Sequence, residues 1–489
     1  MIRAVVAALL GAVLALAFAP FNLWPLAILM PAGLFWLNRD IHSLKSLFWN
    51  GWCFGLGYFG CGVYWIYNSL HDFGMAPPVV ATAITGLLVV YLAITPGLIL
   101  ICWRRADQYL GASGIWMLPV IWFGLEWFKG WFITGMPWLS LGYAHTASPL
   151  AGFAPLVGVY GISALTVLMS VTIYQALHAR RFRSLVLLPL LPALGFGLQQ
   201  IEWTEPVGEP ITVTMVQGSI PQQLKWRREQ RENIFNTYLR ETLRHPKSDL
   251  VIWPETALPS NSRAIATTLL PKLQAVALAE DKVILSGLLY ADAGQPRFYN
   301  SVMQFGRERG LYHKRHLVVF GEYYPMRWLL DSLRAYINIP YSDLEHGPDE
   351  QPLMRIDDLK LGVSICFEDV FSRDILLDLP QANLLVNVSN DAWFGDSTAP
   401  HQHLQIAQMR ALETERTMLR ATNNGISAFI DHKGRVTGVT EQFKTQSITE
   451  NVTGRAGATP FVYFARVQGL LTLVPLALLV WPLLGRLRS

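Results

Sequence analysis

The chain has 489 residues, of which 52% are hydrophobic and only 15% are charged. This composition excludes an ordinary soluble protein, and the length allows more than one domain. The formal net charge of +4 is small for this length and no basic stripe accompanies it, which argues against a nucleic-acid partner.

Long apolar runs fill the first 200 residues and recur near the carboxyl terminus. A bilayer core about 30 Å thick requires about 20 apolar residues in a spanning helix. We predict eight spans, at residues 4–19, 22–38, 47–70, 79–103, 112–132, 152–177, 184–199 and 467–485. The first run could instead be a cleaved signal peptide, but FAPFNLWPL leads directly into a second apolar run, which favours an uncleaved helix.

The positive side chains between these spans predict the orientation, because lysine and arginine concentrate in cytoplasmic loops. If the N-terminus is cytoplasmic, the inner segments hold Arg3, Arg39, Lys45, Arg104, Arg105, Arg180, Arg181, Arg183, Arg486 and Arg488. The short outer loops hold only Lys129. We therefore predict cytoplasmic termini in a multi-pass protein of a bacterial inner membrane. The predicted domains are a seven-helix membrane domain (1–200), a periplasmic domain (201–465), and an eighth helix with a cytoplasmic tail (466–489).

Within the outer loop 133–149, Trp138 is assigned either to the wall of a lateral opening for lipid substrates or to a plain anchor at the membrane interface. Glu126 and Lys129, three residues apart at the end of the fifth span, predict a local ion pair.

The periplasmic region alternates short apolar runs with helical patterns. The runs predict strands at 212–218, 249–255, 282–290, 299–305, 361–368 and 383–391. Their nearly continuous apolar character is typical of strands covered on both faces. Helical patterns occupy 227–244, 262–280 and 399–420. This spacing predicts sheets flanked by helices.

One cysteine stands apart from the others. Cys53, Cys61 and Cys102 lie in predicted spans, where a thiol is usually a small packing residue. Cys366 has no partner in its own domain, in a compartment that oxidises exposed thiols. It ends the strand LGVSIC before a predicted helix, where a nucleophile is often exposed and a helix N-terminus stabilises a thiolate. A buried core cysteine is the alternative.

Two further segments carry chemistry. Glu255 follows Pro254 in VIWPET, and because proline cannot extend a central ladder, Glu255 is expected where the strand stops. Lys314 and Glu322 lie in LYHKRHLVVFGEYYP. Acyl transfer through a thiol needs a nucleophile, a base and a cation near the developing oxyanion. A cysteine, a glutamate and a lysine supply these three groups.

The order of WPE, YHK, LVVFGEYYP, ICFED and NVSNDAWFG resembles the nitrilase (carbon-nitrogen hydrolase) superfamily. With seven helices before it and one after, the whole chain is similar, more narrowly, to the bacterial apolipoprotein N-acyltransferases. The resemblance implies an αββα sandwich and a Glu-Lys-Cys triad. Its implied site residues are Glu255, Lys314 and Cys366 as the triad, Glu322, Phe367 and Glu368 as supports, and Trp226, Tyr323, Trp393 and Phe394 for substrate binding. Val319 and Phe367 depart from the residues common at those positions.

The resemblance also implies the reaction. An acyl chain would pass from a phospholipid, typically phosphatidylethanolamine, through a thioester on Cys366 to the α-amine of the diacylglyceryl-cysteine of an apolipoprotein. Glu255 would take the thiol proton, and Lys314 would stabilise the oxyanion and help keep Cys366 ionised. A monomer is expected.

Two other functions fit less well. A membrane-tethered amidase or nitrilase would use the same triad with water as the acyl acceptor. A transporter or receptor with an inert nitrilase-like domain would need ionisable residues inside the spans, which hold almost none. HQH at 401–403 lacks further ligands at metal spacing, so we expect an exposed helix start and no metal. No phosphate-binding glycine loop follows a predicted strand, so no nucleotide cofactor is implied.

Overall fold

The computed structural model describes residues 1–292, 297–319, 321–323 and 343–486, with side chains described as far as residue 480. Phe320, Tyr324 and Pro325 of the predicted Lys314 loop and residues 487–489 of the predicted tail lie outside this part. The chain forms two compact units. The first contains Met1–Tyr67, Val79–Glu202 and the segment from Thr459 onward, and the second contains Asn68–Pro78 and Trp203–Ala458.

The first unit is helical, and each predicted span overlaps one of its helices. Their bounds are Ile2–Leu14, Pro25–Leu37, Leu44–Gly62, Pro78–Leu110, Leu118–Lys129, Ala154–Ala179, Leu187–Leu198 and Leu473–Arg486. Two helical stretches of the described chain, Pro78–Lys129 and Pro149–Ala179, are long and apolar enough to cross a membrane. The other apolar helices of this unit are shorter, so the total of eight spans stays a prediction.

Small residues bring the first and third of these helices together. A Cβ at Gly11 would lie 1.9 Å from Phe54 O, and a Cβ at Gly57 would lie 1.9 Å from Ala8 O. Such close backbone approach at small residues is typical of helices packed in a membrane, where apolar burial alone drives little association.

Glu126 and Lys129 bind separate partners in the first unit. Glu126 accepts hydrogen bonds from Trp122 Nε1 at 2.9 Å and Leu141 N at 3.0 Å. Lys129 Nζ donates to Trp138 O at 3.0 Å. The two charges also interact electrostatically, as the predicted pair requires, and each buried side chain finds a further hydrogen-bond partner in the loop beyond its own helix.

The third predicted span, 47–70, ends earlier than its apolar run. The helix stops at Gly62, because Val63 has non-helical dihedral angles. Residues Asn68–Pro78 then belong to the second unit. The sequence placed them in the first domain because the run stays apolar, but Ser69 Oγ donates to Trp393 O at 2.8 Å.

The second unit contains two mixed β-sheets. Its strands are β1 Thr204–Gln217, β2 Leu250–Ile252, β3 Leu258–Asn261, β4 Val283–Ala291, β5 Phe298–Phe305, β6 Gly310–His313, β7 Met354–Ile356, β8 Leu359–Ile365, β9 Leu384–Ser389, β10 Met418–Thr422, β11 Ala428–Ile430, β12 Val436–Val439 and β13 Gln446–Gly457. Within the described residues the first sheet runs β13-β1-β2-β4-β5-β6, with β3 beside β4, and the second runs β12-β11-β10-β9-β8-β7. β1, β2 and β4 pair in parallel, as do β8, β9 and β10.

Apolar side chains cover both faces of each sheet. The residues between the sheets include Val213, Ile252, Ile365 and Val386, all 0% exposed. The outer face of the first sheet packs on helices Arg231–Leu243 and Leu269–Ala279. The outer face of the second packs on Ala399–Thr414. The layers therefore follow the order helix, sheet, sheet, helix, as in the αββα sandwich that the sequence predicted.

The segment predicted as a single helix over 399–420 contains both a helix and a strand. The helix predicted over 399–420 ends at Thr414, because Glu415 takes a left-handed conformation with φ 45°. Residues Met418–Thr422 instead pair in parallel with β9. The favourable helix propensity of this stretch is overridden by its place inside the second sheet.

Candidate active site

The three predicted triad residues lie just beyond the ends of strands in the second unit. Glu255 follows β2, Lys314 follows β6 and Cys366 follows β8. In sheets with parallel strands, ligand sites form at the carboxyl ends, where loops rather than ladder partners surround the side chains. This placement agrees with the expectation that each residue sits where its strand stops.

The Glu255 turn is held in an unusual conformation. Thr256 has φ 47°, a left-handed value that a β-branched residue rarely adopts. Gly287 of the neighbouring β4 lies directly against this turn, since a Cβ there would be 2.4 Å from Thr256 N. The absent side chain at Gly287 therefore makes room for the backbone that presents Glu255.

Lys314 lies between two carboxylates. Its side chain is 1% exposed, and its Nζ is 2.8 Å from Glu322 Oε2 and 3.7 Å from Glu255 Oε1. Burial lowers the pKa of Lys314, but the charges of Glu322 and Glu255 outweigh it and the net pKa is raised. Lys314 is therefore a permanent cation and does not serve as the base.

Asn300 on β5 joins the parts of this cluster. Its Nδ2 donates to Glu255 Oε1 at 2.7 Å and to Glu322 Oε1 at 2.8 Å. Its backbone carbonyl accepts from Lys314 N at 2.8 Å. One buried amide thus holds the orientation of both carboxylates, although the sequence analysis did not select it.

Cys366 also has a left-handed backbone, with φ 52°. Glu368 holds this turn: its carboxylate accepts from Ile365 N at 2.5 Å, Arg315 N at 2.5 Å and His316 N at 3.1 Å. Strain of this kind persists where the surroundings fix it, and it is frequent at functional sites. Glu368, 0% exposed, links the nucleophile turn to the segment that follows Lys314. Phe367 is half-buried, with its ring centroid 5.1 Å from that of Phe371.

The surroundings of Cys366 do not favour a resting thiolate. Burial and the Glu255 carboxylate raise the pKa of the thiol, and Lys314 lowers it only in part. The chain after Cys366 forms a short helical turn, Cys366–Val370, followed by the five-residue helix Ser372–Leu376. Lys314 favours the ionised form of Cys366, as expected, but burial and Glu255 outweigh its effect on the pKa.

A buried polar network lies behind the nucleophile. Asn387 Nδ2 donates to Cys366 O at 3.1 Å, and Arg420 donates to Asn387 Oδ1 at 2.7 Å. The same guanidinium pairs with Asp369 Oδ2 at 3.2 Å and Asp391 Oδ2 at 2.9 Å. Because Asp369 is in the Cys366 turn and Asp391 begins the turn that carries Trp393, Arg420 ties these two turns together.

His403 completes this network. Its Nε2 is 2.8 Å from Asp369 Oδ1 and its Nδ1 is 3.1 Å from Asp391 Oδ1. His403 is 1% exposed, so the prediction of an exposed helix start is wrong at this position. Burial lowers the pKa of His403, but the two aspartates bring the net pKa above its ordinary value. We call Asp369, Asp391, His403 and Arg420 the aspartate network.

The predicted substrate residues fall into two groups in the second unit. Trp226 and Tyr323 pack against the same small apolar cluster, which contains Leu289, Leu317 and Leu344. Both are half-buried. The structure thus brings them together beside the Lys314 to Glu322 segment.

Trp393 and Phe394 are held by the segment Asn68–Pro78. Trp393 O accepts from Ser69 Oγ, and Phe394 O accepts from Asn68 Nδ2 at 3.2 Å. The Phe73 and Trp393 rings meet at a centroid distance of 6.3 Å. Trp138 belongs to the first unit, where it is 1% exposed and 5.0 Å from Trp65 between ring centroids.

Comparisons with known proteins agree with this architecture. A family model described as Carbon-nitrogen hydrolase matches residues 212–461, and one described as Apolipoprotein N-acyltransferase N-terminal domain matches residues 10–172. The apolipoprotein N-acyltransferase of Nitrosomonas europaea is 41% identical over 94% of this chain and 93% of its own length. The one from Azotobacter vinelandii is 40% identical over 97% and 94%. The chain belongs to the apolipoprotein N-acyltransferase family. Among solved structures, an amidase of the nitrilase superfamily from Nesterenkonia AN1 covers 54% of this chain and 97% of its own at 15% identity, with a TM-score of 0.38.

Family membership identifies an acyltransferase of lipoprotein biosynthesis with a nitrilase-like domain. The sequence analysis missed Asn300, Asn387 and the aspartate network in that domain. One signal was available: Asn300, Asn387 and Arg420 are polar residues inside apolar strand runs, and buried polar groups require partners. What the sequence could not supply was the identity of those partners.

Proposed function

We propose that this protein transfers a fatty acyl chain from a membrane phospholipid, through a thioester on Cys366, to the α-amine of the N-terminal diacylglyceryl-cysteine of apolipoproteins. The observation that carries the proposal is a half-buried thiol, on a turn with φ 52°, whose charged neighbours are Glu255 and Lys314. Phosphatidylethanolamine is the proposed donor, and the proposed catalytic residues are Glu255, Lys314 and Cys366.

In the first half-reaction, the Cys366 thiol gives its proton to Glu255 as sulfur attacks the ester carbonyl carbon. The former carbonyl oxygen of the ester then carries the negative charge, which Lys314 stabilises. When the intermediate collapses, the carbon–oxygen bond to the lysophospholipid breaks and Glu255 returns the proton to the leaving oxygen. The raised pKa of the Cys366 thiol supports this role for a base.

In the second half-reaction, the α-amine of the lipoprotein attacks the thioester carbonyl carbon. Glu255 takes a proton from the amine, the carbon–sulfur bond breaks, and the proton returns to the sulfur. Amide formation is favoured only if water is kept from the thioester. We propose that Trp226, Tyr323, Trp393 and Phe394 bind the lipid chains and exclude water, with Glu322, Phe367 and Glu368 as supports.

The first unit supports a membrane location for the reaction. Large apolar side chains project from its helices, among them Leu9 at 61%, Leu87 at 68% and Phe196 at 62% exposure. Exposed apolar side chains of this size are unfavourable in water and are covered by lipid in membrane proteins. We propose a monomer with eight spans in a bacterial inner membrane, both termini cytoplasmic and residues 201–465 in the periplasm.

A membrane site also reduces the cost of handling the substrates. Each methylene moved from lipid to water costs about 0.8 kcal/mol, so extraction of a long acyl chain would cost on the order of 10 kcal/mol. A catalytic domain at the outer leaflet avoids this cost because both substrates remain anchored in the bilayer.

Mass spectrometry of the full-length protein incubated with phosphatidylethanolamine tests the proposal. We expect a mass increase of one acyl group on Cys366, lost on hydroxylamine treatment and absent in Cys366→Ala. Cys61→Ala is the matched control, since Cys61 is also a free cysteine, more exposed than Cys366, but lies in the first unit. It should load as the wild type does.

The acceptor is tested by adding a diacylated lipopeptide to the loaded protein. We expect the acyl group to appear on the lipopeptide amine and the free thiol to return. Release of free fatty acid at the same rate with and without lipopeptide would instead indicate a hydrolase, and an unmodified thiol under active conditions would contradict the thioester.

A further inference from the structure

Lys225 is a buried lysine next to the proposed triad that no step above uses. It ends the short helix Gln222–Lys225, directly before Trp226, and is 1% exposed. Its Nζ donates to the backbone carbonyl of Glu255 at 3.0 Å. A buried ammonium is costly unless it is paired or hydrogen-bonded, so its presence here calls for a physical reason.

Lys282 in the same unit shows how a structural lysine is buried. It is 3% exposed, and its Nζ donates to three backbone carbonyls, those of His245 at 3.1 Å, Pro246 at 2.7 Å and Ser248 at 2.9 Å. All three N–H donors of that ammonium are therefore satisfied. Lys225 makes one hydrogen bond to protein within the described part of the chain, so its ammonium is less completely paired by protein groups than that of Lys282.

The charges around the triad indicate what the Lys225 ammonium does there. Lys314 is shared by the carboxylates of Glu255 and Glu322, so these three residues together carry one excess negative charge. Attack by Cys366 places negative charge on sulfur and then on the substrate oxygen. Lys225 is the additional cation beside Glu255 that balances this charge, since the Lys314 ammonium already serves two carboxylates.

Lys225 interacts electrostatically with Glu255 and with Cys366. Burial lowers the pKa of Lys225 to about 8, and the Glu255 carboxylate and the thiolate form of Cys366 oppose that shift. Interaction between two titrating groups is reciprocal. If a Cys366 thiolate favours the ammonium form of Lys225, that ammonium must favour the thiolate to the same extent.

We propose that Lys225 is a further electrostatic residue of this site: its ammonium stabilises the Cys366 thiolate and so favours transfer of the thiol proton to Glu255. Its hydrogen bond to the Glu255 carbonyl fixes the ammonium beside the base. Lys225 is not itself a catalytic residue: as a positioning residue it affects the reaction through Cys366. The proposal deepens the proposed function and rests on it for the identity of the nucleophile.

The test is the rate of Cys366 alkylation by iodoacetamide in the full-length protein, followed by mass spectrometry from pH 6 to pH 10. This reaction reports the thiolate fraction without any lipid. In Lys225→Met, loss of the cation should slow alkylation at pH 8 by about tenfold, which corresponds to a rise of about one unit in the thiol pKa. Lys225→Arg should retain the wild-type rate.

Lys282→Met is the matched control, because it removes an equally buried lysine that has no contact with the triad. Its alkylation rate should equal that of the wild type even if its thermal stability falls. An unchanged rate in Lys225→Met, or an equal slowing in Lys282→Met, would overturn the proposal.

A second comparison remains decisive if Lys225→Met does not fold. Above about pH 8 the wild-type lysine loses its proton, so the rise of the alkylation rate with pH should flatten, whereas Lys225→Arg stays charged and should keep rising. Superimposable profiles would refute the role of Lys225. The alkylation assay contains no acyl donor, so its result does not depend on whether the protein can be loaded with lipid. The proposed function and the role of Lys225 can therefore be refuted independently.

Discussion

The triad cluster and the aspartate network are two buried groups of charges in the same domain, and they differ in charge balance. In the aspartate network, His403 and Arg420 face Asp369 and Asp391, and all four residues are at most 2% exposed. In the triad cluster, the single cation Lys314 faces Glu255 and Glu322, whose side chains are 10% and 14% exposed. One group is enclosed and has two side chains that can be cations, and the other is partly exposed and shares the single cation Lys314 between two carboxylates.

This difference indicates that the two groups of charges have different roles. In an enclosed set of paired charges, movement of one group leaves its partner buried and unpaired, so such a set fixes geometry. An unbalanced set beside a thiol has a carboxylate available to accept a proton. Changes in the triad cluster should therefore lower the reaction rate, and changes in the aspartate network should lower stability.

The largest effect on rate is expected for Glu255→Gln. Loss of the base should slow acyl loading of Cys366 by about 10²–10⁴-fold, because the thiol has no other acceptor for its proton. Thermal stability should change little, since the variant removes an excess negative charge and keeps the shape of the side chain. Single-turnover mass spectrometry and a melting curve measure both quantities.

Glu241→Gln is the matched control for this variant. Glu241 is also buried, at 5% exposure, but it pairs with Arg244 on the helix Arg231–Leu243, away from the triad. It should load at the wild-type rate. The comparison fails if Glu255→Gln loads normally, or if its main effect is unfolding.

The largest effect on stability is expected for Arg420→Met. It leaves two buried aspartates with one cation, and removal of one partner from a buried ion pair typically costs about 3–5 kcal/mol. The unfolding free energy should fall by this amount. In the double variant Arg420→Met with Asp391→Asn, part of the loss should return because one unpaired charge is removed.

Arg307→Met gives the contrasting result for an exposed pair. Arg307 lies 2.8 Å from Asp281, with side-chain exposures of 78% and 68%. Such pairs contribute little in water, so no measurable change is expected. If Arg420→Met were as stable as Arg307→Met, the aspartate network would not hold the nucleophile turn in place.

A smaller, pH-dependent effect is expected for His403→Gln. The groups that face His403 are Asp369, Asp391 and Arg420, and the two aspartates raise its pKa. The folded state therefore binds the imidazole proton more tightly than the unfolded state, so its stabilising contribution is complete below about pH 6.5. It is lost as the pH rises through the raised value.

The melting temperatures of wild type and His403→Gln should accordingly differ most at low pH and converge at high pH. Buffers from pH 6 to pH 9 cover this range. A difference that stays constant with pH would mean that the histidine acts by packing alone and carries no charge in the folded protein.

Much of the proposed triad could be located from the sequence because its signals are local. Pro254 ends a strand beside Glu255, and the apolar run LGVSIC ends at the thiol. Both residues lie where the sequence placed them, and Lys314 contacts Glu255 and Glu322 as the family resemblance implied. Local spacing also predicted sheets flanked by helices, and the family resemblance implied their four-layer order, but the helix predicted over 399–420 extended into a central strand.

The errors share one cause. His403 was expected on an exposed helix start because its neighbours are polar, yet both of its partners come from turns after β8 and β9. Residues 68–70 were assigned to a span because they continue an apolar run, yet Asn68 and Ser69 hydrogen-bond to residues more than 300 positions away. Hydrophobic periodicity reports local burial and contains no information on which distant group completes a hydrogen bond.

The sequence by itself determined the type of protein, the apolar helices, the layers of the sandwich and the ends of the strands that carry Glu255, Lys314 and Cys366. Only the tertiary structure decided how charge is distributed around them: Asn300 between two carboxylates, Arg420 between two turns, and Lys225 hydrogen-bonded to the Glu255 carbonyl. The physical reason is that a buried charge is tolerated only with specific partners. Those partners come from strands far apart in the chain, and only folding brings them within hydrogen-bond distance.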